Sequence, residues 1–411
     1  MLFLLSWRNL ARRKRRAFIT ALTVALGVFL SVTFTALGDY SYTNMINTSA
    51  KMGFGHVTVE AEGYNVSPAL DKRIGGVSDI LKLIRGADGV ESAVPRITGQ
   101  AMFSTASRSV GGVFMAIDPK VETQSTTAFL GAISGGEMFN DVKGRGAVLG
   151  VKLMEKLNLK KGGKFVYTTT GATGDLVSES ARVTGVFKTG VEEVDGSFAI
   201  LPIGRLQGAL GYTDDEATMV VTFIKDHRNA EGARAVLQSA LSGRKLEVLT
   251  WSQTQADLAG HVAVDQAVNY IYQFLMGVMI AAGILNTVMM GVLERWREFG
   301  VMVAVGFKPS RLSLMVIIES LWLGIMGLIL GVIVTAPWYV YMSRTGIDLS
   351  GYMQEGADVS GILVDPVLKF RLYKESVVGI LAGVFALTAL AGLYPAWKAG
   401  RTNPVDTLKN L

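Results

Sequence analysis

Four stretches of this chain stay apolar for about the length of a bilayer crossing: Phe18 to Leu37, Ala267 to Leu293, Leu312 to Ser343 and Ser376 to Trp397. A hydrocarbon core of about 30 Å takes roughly 20 apolar residues in helical form, so each stretch predicts a transmembrane helix. Only the third holds an ionisable carboxylate, Glu319, and Pro337 lies toward its end. Between the first and second stretches the pattern changes. His56 to Glu60 alternates like a strand, and Val77 to Gly86 puts Ile80, Leu83 and Ile84 on one helical face before a glycine stop. Val113 to Ile117, Ala147 to Leu149, Lys164 to Thr169, Ala181 to Phe187, Ala217 to Ile224 and Leu246 to Thr250 also read as strands. Val151 to Leu157 and Ala230 to Leu241 read as helices. Roughly 225 residues of interleaved strands and helices predict a mixed α+β domain in two lobes.

The expected fold class is therefore a membrane protein with four transmembrane α-helices, one plus three. A large α+β extracytoplasmic domain is inserted between the first and second. The expected order is a basic amphipathic segment (1–16), the first span (17–40), the external domain (41–265) and the second span (266–293). A charged hairpin (294–311), the third span (312–343), an external loop (344–375), the fourth span (376–398) and a tail (399–411) follow. The loop is glycine-rich and carries Tyr352, Pro366 and Tyr373.

Charge fixes the expected orientation. Arg8, Arg12, Arg13, Lys14, Arg15 and Arg16 precede the first span, and Arg295, Arg297, Lys308 and Arg311 separate the second from the third. Lys398, Arg401 and Lys409 follow the fourth. Lysine and arginine gather on the cytoplasmic side, so both termini and the hairpin are expected there and the large domain outside the cytoplasm. The net charge of +6 then belongs to membrane orientation rather than to nucleic acid. Half of the residues are hydrophobic and 18% are charged, against about 25% in soluble domains. A cleaved signal peptide ending near Ala36-Leu37-Gly38 is the rival reading of the N-terminus, but the apolar run exceeds the usual h-region of roughly 7–15 residues. Two readings of Leu2 to Leu10 also stand: an amphipathic helix on the inner leaflet, or simply part of a positive stop signal.

Residues for chemistry are sparse. There is no cysteine, and His56, His227 and His261 are scattered without a zinc-binding spacing. Gly144 to Gly150 misses the dinucleotide fingerprint, Lys161-Gly162-Gly163-Lys164 is not a P-loop, and no Gly-x-Ser-x-Gly elbow occurs. No catalytic residue, metal or cofactor is expected in the chain itself.

The unusual polar positions lie in or beside the spans. Glu319 sits about two turns, roughly 11 Å, inside the third. It either makes a contact within the bundle that differs between states or reaches back to Arg311 or Lys308 at the interface. Asn286 is a candidate for a hydrogen bond across helices. Gly324, Gly327 and Gly331, and Gly379 and Gly383, are spaced for close helix packing in a bundle or a dimer. Glu294, Arg295, Arg297 and Glu298 read as a helical turn continuing the second span, with charges of both signs that suit a groove on a soluble partner. The bland alternative is a solvated turn.

The residues so far resemble a known family. Trp7-Arg8-Asn9-Leu10 with its basic run, Ala21 to Gly27, Gly283-Ile284-Leu285-Asn286-Thr287, Leu293-Glu294-Arg295, Arg297-Glu298-Phe299-Gly300 and Ala304-Val305-Gly306 carry the likeness. Pro395-Ala396, Arg401 and Asn403-Pro404-Val405 complete it. Together they resemble ABC-transporter permeases of the MacB, FtsX and LolC/LolE types. The resemblance implies that Glu294, Arg295, Arg297, Glu298, Phe299, Gly300 and Gly306 form a coupling helix seated on a separate ATPase dimer, which binds ATP and Mg. It also implies a second permease copy or paralogue. Gly185 to Gly190, Glu193, Asp195 and Leu201-Pro202 resemble the lipoprotein-releasing branch, with a lipoprotein substrate and a periplasmic carrier. Efflux of another amphiphile and mechanical control of a periplasmic partner are the alternatives within the family. A membrane-anchored sensor without an ATPase is the alternative outside it.

Overall fold

A computed structural model of the chain describes residues 6–8, 10, 14–348, 358–359, 362–363 and 367–402. The expected inner-leaflet helix is thus described only at 6–8 and 10. Asn9, Arg12, Arg13, Tyr352, Pro366, Asn403-Pro404-Val405 and Lys409 lie outside the described residues.

Four long helices, Lys14–Ser49, Ala256–Glu294, Pro309–Arg344 and Lys374–Gly400, are apolar and long enough to cross a membrane. The first, of 36 residues, spans roughly 54 Å by helix rise, well beyond the hydrocarbon core. The first two helices outrun their apolar stretches, to Ser49 and back to Ala256, because hydropathy marks the lipid-embedded part and not the solvated turns. Pro337 and Pro395 sit inside helices that continue past them, as prolines in spans do when neighbouring helices support the backbone.

The bundle packs along regular stripes. Ile280, Ile284, Val288 and Val292 recur every fourth residue on the second helix and are buried with Val24 and Val28 of the first and Met315, Val316 and Leu323 of the third. A β-carbon at Gly324 would overlap Thr388, one at Gly327 would overlap Val24, and one at Gly331 would lie 2.9 Å from Val28 Cβ. Those three glycines let backbones approach as expected. Among the described residues of this chain Gly379 and Gly383 approach nothing: a β-carbon at either meets nothing within 4 Å. Close contacts on the fourth helix are made instead by Gly392 and Gly400, where β-carbons would overlap Ser320 and Ser313.

Tyr42–Val262 contains the other compact unit. Its strands are β1 (Val57–Ala61), β2 (Ile74–Gly75), β3 (Val90–Ser104), β4 (Ser109–Ile117), β5 (Ile133–Gly136) and β6 (Gly146–Gly150). They continue with β7 (Lys164–Thr170), β8 (Leu176–Phe187), β9 (Phe198–Pro202), β10 (Glu216–Ala217), β11 (Met219–Ile224) and β12 (Leu246–Thr250). One lobe is an antiparallel sheet in the order β12-β1-β11-β3. Helix Val77–Arg85 packs on it through Val77, Ile80 and Ile84. In the other lobe β3-β4-β9-β6-β8-β7 pairs back onto β3 and closes a six-stranded ring. β4–β9 and β6–β8 are parallel.

The fifteen-residue β3 belongs to both lobes: up to Arg96 it pairs with β11, and from Ile97 with β4. Arg96 marks the handover. It is fully buried, its Nε lies 2.8 Å from Glu122 Oε1, and its Nη2 donates to Glu122 Oε2 and the Thr126 carbonyl. This strand is hard to read in advance, because Pro95 sits within it and prolines argue against a central strand.

Candidate functional site

The second long helix stops at Glu294. Arg295 leaves the helical conformation (φ −109°, ψ 17°), and a separate short helix, Trp296–Ala304, begins. The charged turn therefore does not continue the second span as expected; a break at Arg295 makes it an element of its own. Gly306 then takes φ +97°, which glycine adopts without steric cost. Pro309, at the first position, opens the third helix with its φ already suited.

The break arranges the charges. Arg295 lies just past the carbonyl end of one helix, where a cation is favoured, and Glu298 lies in the first turn of the next, where an anion is favoured. The Arg295 side chain is only 9% exposed. Its Nε donates to Glu298 Oε2 at 3.1 Å, its Nη1 donates to Glu319 Oε2 at 3.3 Å, and its guanidinium lies 5.2 Å from the centre of the buried Phe299 ring. Glu319 is thus held within the bundle. The partner sequence reasoning missed is Arg295, in place of the expected Arg311 or Lys308. Glu294 is held as well, with Arg16 Nη1 of the first helix 3.2 Å from both carboxylate oxygens. The hairpin is in this way tied to the first helix by one ion pair and to the third by another.

The short helix is amphipathic. Phe299 and Gly300 are buried, while Arg297, Glu298, Val301, Ala304 and Val305 are exposed. Spacings of three, four and seven put those five on one face. Val301 and Val305 are 50% and 85% exposed, an apolar centre flanked by charge.

Comparison with known proteins fits this architecture. Residues 17–240, more than half of the chain, match the MacB-like periplasmic core domain, and residues 270–404 match the FtsX-like permease C-terminal family. The chain belongs to the MacB/FtsX family of ABC-transporter permeases. It is 22% identical to the lipoprotein-releasing system transmembrane protein LolC of Neisseria meningitidis, over 98% of this chain and 97% of that protein. It is also 22% identical to LolE of Haemophilus influenzae, over 99% of each. Identity is again 22% to the macrolide export ATP-binding/permease protein MacB of Neisseria gonorrhoeae, over 99% of this chain but 60% of that longer protein.

Other expected positions in this permease fare unevenly. Asn286 is exposed and has no hydrogen-bond partner among the described residues. Its neighbour Thr287 makes the polar contact between helices, 2.5 Å from Thr20 Oγ1, and Gln273 Nε2 donates to Thr35 Oγ1 at 3.0 Å. Hydroxyls facing each other across helices leave no mark in a hydropathy pattern, which is why this pair was missed. Trp7 packs on Trp322 with ring centres 5.0 Å apart, and Ser6 Oγ donates to the Met315 carbonyl. The described N-terminal residues therefore rest on the third helix. Asp39 accepts from the Tyr373 amide and Ser376 Oγ, joining the first helix to the start of the fourth.

At the root of the external domain, His56 Nδ1 accepts the Ile224 amide at 3.1 Å, so Nε2 carries the proton toward Asn47 Oδ1 at 2.9 Å. Burial, followed by His227 and Lys51, lowers its pKa to about 4. Four residues on, burial and then the facing Glu247 carboxylate raise Glu60 to about 7, while a backbone bond from Asn65 opposes the shift.

Proposed function

We propose that this permease couples ATP hydrolysis by a separate ATPase dimer, which holds ATP and Mg, to movement of its external domain, and that it releases lipid-modified proteins from the outer leaflet of the inner membrane. The observation that carries this reading is the hairpin. Its outward face, Arg297, Glu298, Val301, Ala304 and Val305, is built for a partner. Its base is fastened to the first helix by Arg16–Glu294, at the end of the second helix, and to the third by Arg295–Glu319. A push on such a face moves helices, not a loop. Both termini and the hairpin lie in the cytoplasm in this reading, and the permease works as a dimer with a second copy or a paralogue. Full-length similarity to LolC and LolE favours lipoprotein release and a periplasmic carrier. Similarity to MacB over 60% of its length supports efflux of an amphiphile as the second reading.

The test is mass spectrometry of what co-purifies from native membranes in mild detergent, with the Val301→Asp/Val305→Asp variant beside the wild type. An ATPase with acylated proteins, the ATPase reduced about tenfold in the variant (about 1.4 kcal/mol of association), is the expected result. A periplasmic adaptor in place of acylated proteins moves the chain to efflux. Absence of any ATPase sinks the coupling reading and leaves the anchored sensor.

A further inference from the structure

The external domain contains a groove of about 590 Å³ where the chain leaves the first long helix and enters the second. One wall is Met52 and Phe54, just after helix Lys14–Ser49, with Leu258 in the opening turn of Ala256–Glu294. The other wall is Val113, Phe129 and Phe198 of the lobe that contains the closed ring. Phe129 and Phe198 stack with centres 5.0 Å apart and planes at 13°, and Phe54 and Val113 are 44% and 37% exposed. The volume falls in the roughly 300–1,000 Å³ range of small-molecule sites, and an apolar cleft with a few polar groups is their usual make-up.

The rim narrows the choice of occupant. Asn65 Nδ2 is engaged by the Gln253 carbonyl, Gln253 Oε1 by the Thr250 amide and Gln255 Oε1 by Ser49, which leaves the other half of each side-chain amide. Asp257 adds a carboxylate, and among the described residues no lysine or arginine lines the groove. A phosphate headgroup would meet that carboxylate with no cation to bind it. A peptide backbone, itself made of amides, matches the rim in donors and acceptors, and Gln255 Nε2 is a buried donor with no partner among the described residues. We propose that this groove seats one acyl chain of a lipid-modified polypeptide, with the polypeptide's first amides on the Asn65–Gln255 rim. The inference rests on the lipoprotein-release reading and gives that substrate's chain a place on this subunit. Exposed Phe54 and Val113 are covered when the acyl chain fills the groove, which keeps its methylenes out of water once they leave the bilayer.

The experiment uses the full chain with its co-purifying ATPase in phosphatidylethanolamine/phosphatidylglycerol nanodiscs. Two photoprobes carry the same diazirine on a palmitoyl chain, one a dipalmitoylated lipopeptide and the other a phosphatidylglycerol, and adducts are mapped by peptide mass spectrometry. The expected result is lipopeptide adducts on the peptides bearing Met52, Phe54 and Phe198. Those adducts fall at least tenfold in Val113→Glu and in Phe54→Gln, and are unchanged in Val166→Glu, a valine of similar exposure outside the groove. Equal labelling of the groove by phosphatidylglycerol overturns the choice of a lipid-modified polypeptide. An equal fall in all three variants overturns the assignment to the groove. Lipopeptide adducts confined to the span helices, with the ATPase retained, overturn the inference and leave the proposed function standing. Loss of both the ATPase and every lipopeptide adduct overturns the two together.

Discussion

Arg96 in the external domain and Arg295 in the hairpin are both buried and both held by carboxylates, but their surroundings differ. The partners of Arg96 are sealed in with it: the Glu122 side chain is 1% exposed, and the Thr126 carbonyl closes the other side. Arg295 is 9% exposed, yet the Glu298 side chain that holds it is 61% exposed and Glu319 is 20% exposed. A sealed pair fixes one arrangement where β3 passes between lobes. A pair with one partner open to solvent can be reached, and re-partnered, by a docking protein. The same side chain is thus a lock in one place and, in the proposed coupling, a clamp in the other.

The largest effect tests the lock. Arg96→Met leaves Glu122 buried without its cation and should cost about 3–5 kcal/mol, lowering the external domain's melting temperature by roughly 10 °C. The double variant Arg96→Met/Glu122→Leu should recover most of this loss, because an apolar pair carries no stranded charge. Failure to recover in calorimetry would mean that Arg96 does more than neutralise Glu122.

A second prediction contrasts Arg96 with the carboxylate sealed into the same domain. Glu60 Oε1 has no hydrogen-bond partner among the described residues, and its raised pKa of about 7 means that its contribution to stability is full below pH 4.5 and is lost as pH rises through 7. His56 has the opposite sign. Its pKa is lowered to about 4, so its contribution is full above pH 6.5 and is lost as pH falls toward 4. The two slopes oppose each other, and wild-type stability should be nearly flat between pH 4.5 and 6.5. Glu60→Gln should uncover the histidine slope, a gain of about 2 kcal/mol as pH rises across that window, read by denaturant titration. A flat variant would refute the pairing of these two shifts.

The clamp comes next. If the proposed coupling holds, Arg295→Met should lower ATP-driven release of lipoprotein about tenfold (1.4 kcal/mol) while leaving the external domain's melting unchanged. A fall in melting temperature instead would make Arg295 a second lock. The smallest effect is expected of Glu298→Gln, about 0.2–1 kcal/mol in stability, as for exposed pairs. Its use lies in the ATPase pull-down, where a fall without loss of folding marks Glu298 as a docking contact.

What could be read in advance follows the range of each force. Apolar runs report burial locally, so the four spans are legible, and helix Val77–Arg85 declares its core face through Ile80 and Ile84. The alternation of Lys164 to Thr169 likewise marks β7. The charged hairpin is visible as residues but not as geometry, because the carboxylate that holds Arg295 on the third helix, Glu319, lies twenty-four positions away. Gly379 and Gly383 share the spacing of Gly327 and Gly331 but meet no neighbour among this chain's described residues, since spacing makes a helix face smooth and only the fold supplies something to lie against it. Asn286 finds no partner among this chain's described residues for the same reason, with Thr20–Thr287 making the contact one residue further round the helix.

The pairing of β1 with β12 has a consequence for the history of such chains. Val57, three residues past the π-helical turn that ends the first helix, faces Thr250, six residues before the second helix begins. Neighbouring strands lie about 4.8 Å apart, so everything between β1 and β12 starts and finishes at one doorway. A cassette with a single narrow doorway can be lengthened, replaced or traded between genes while the flanking helices keep their places. Permeases of one membrane plan can in this way acquire new external heads without altering the hairpin between their second and third helices.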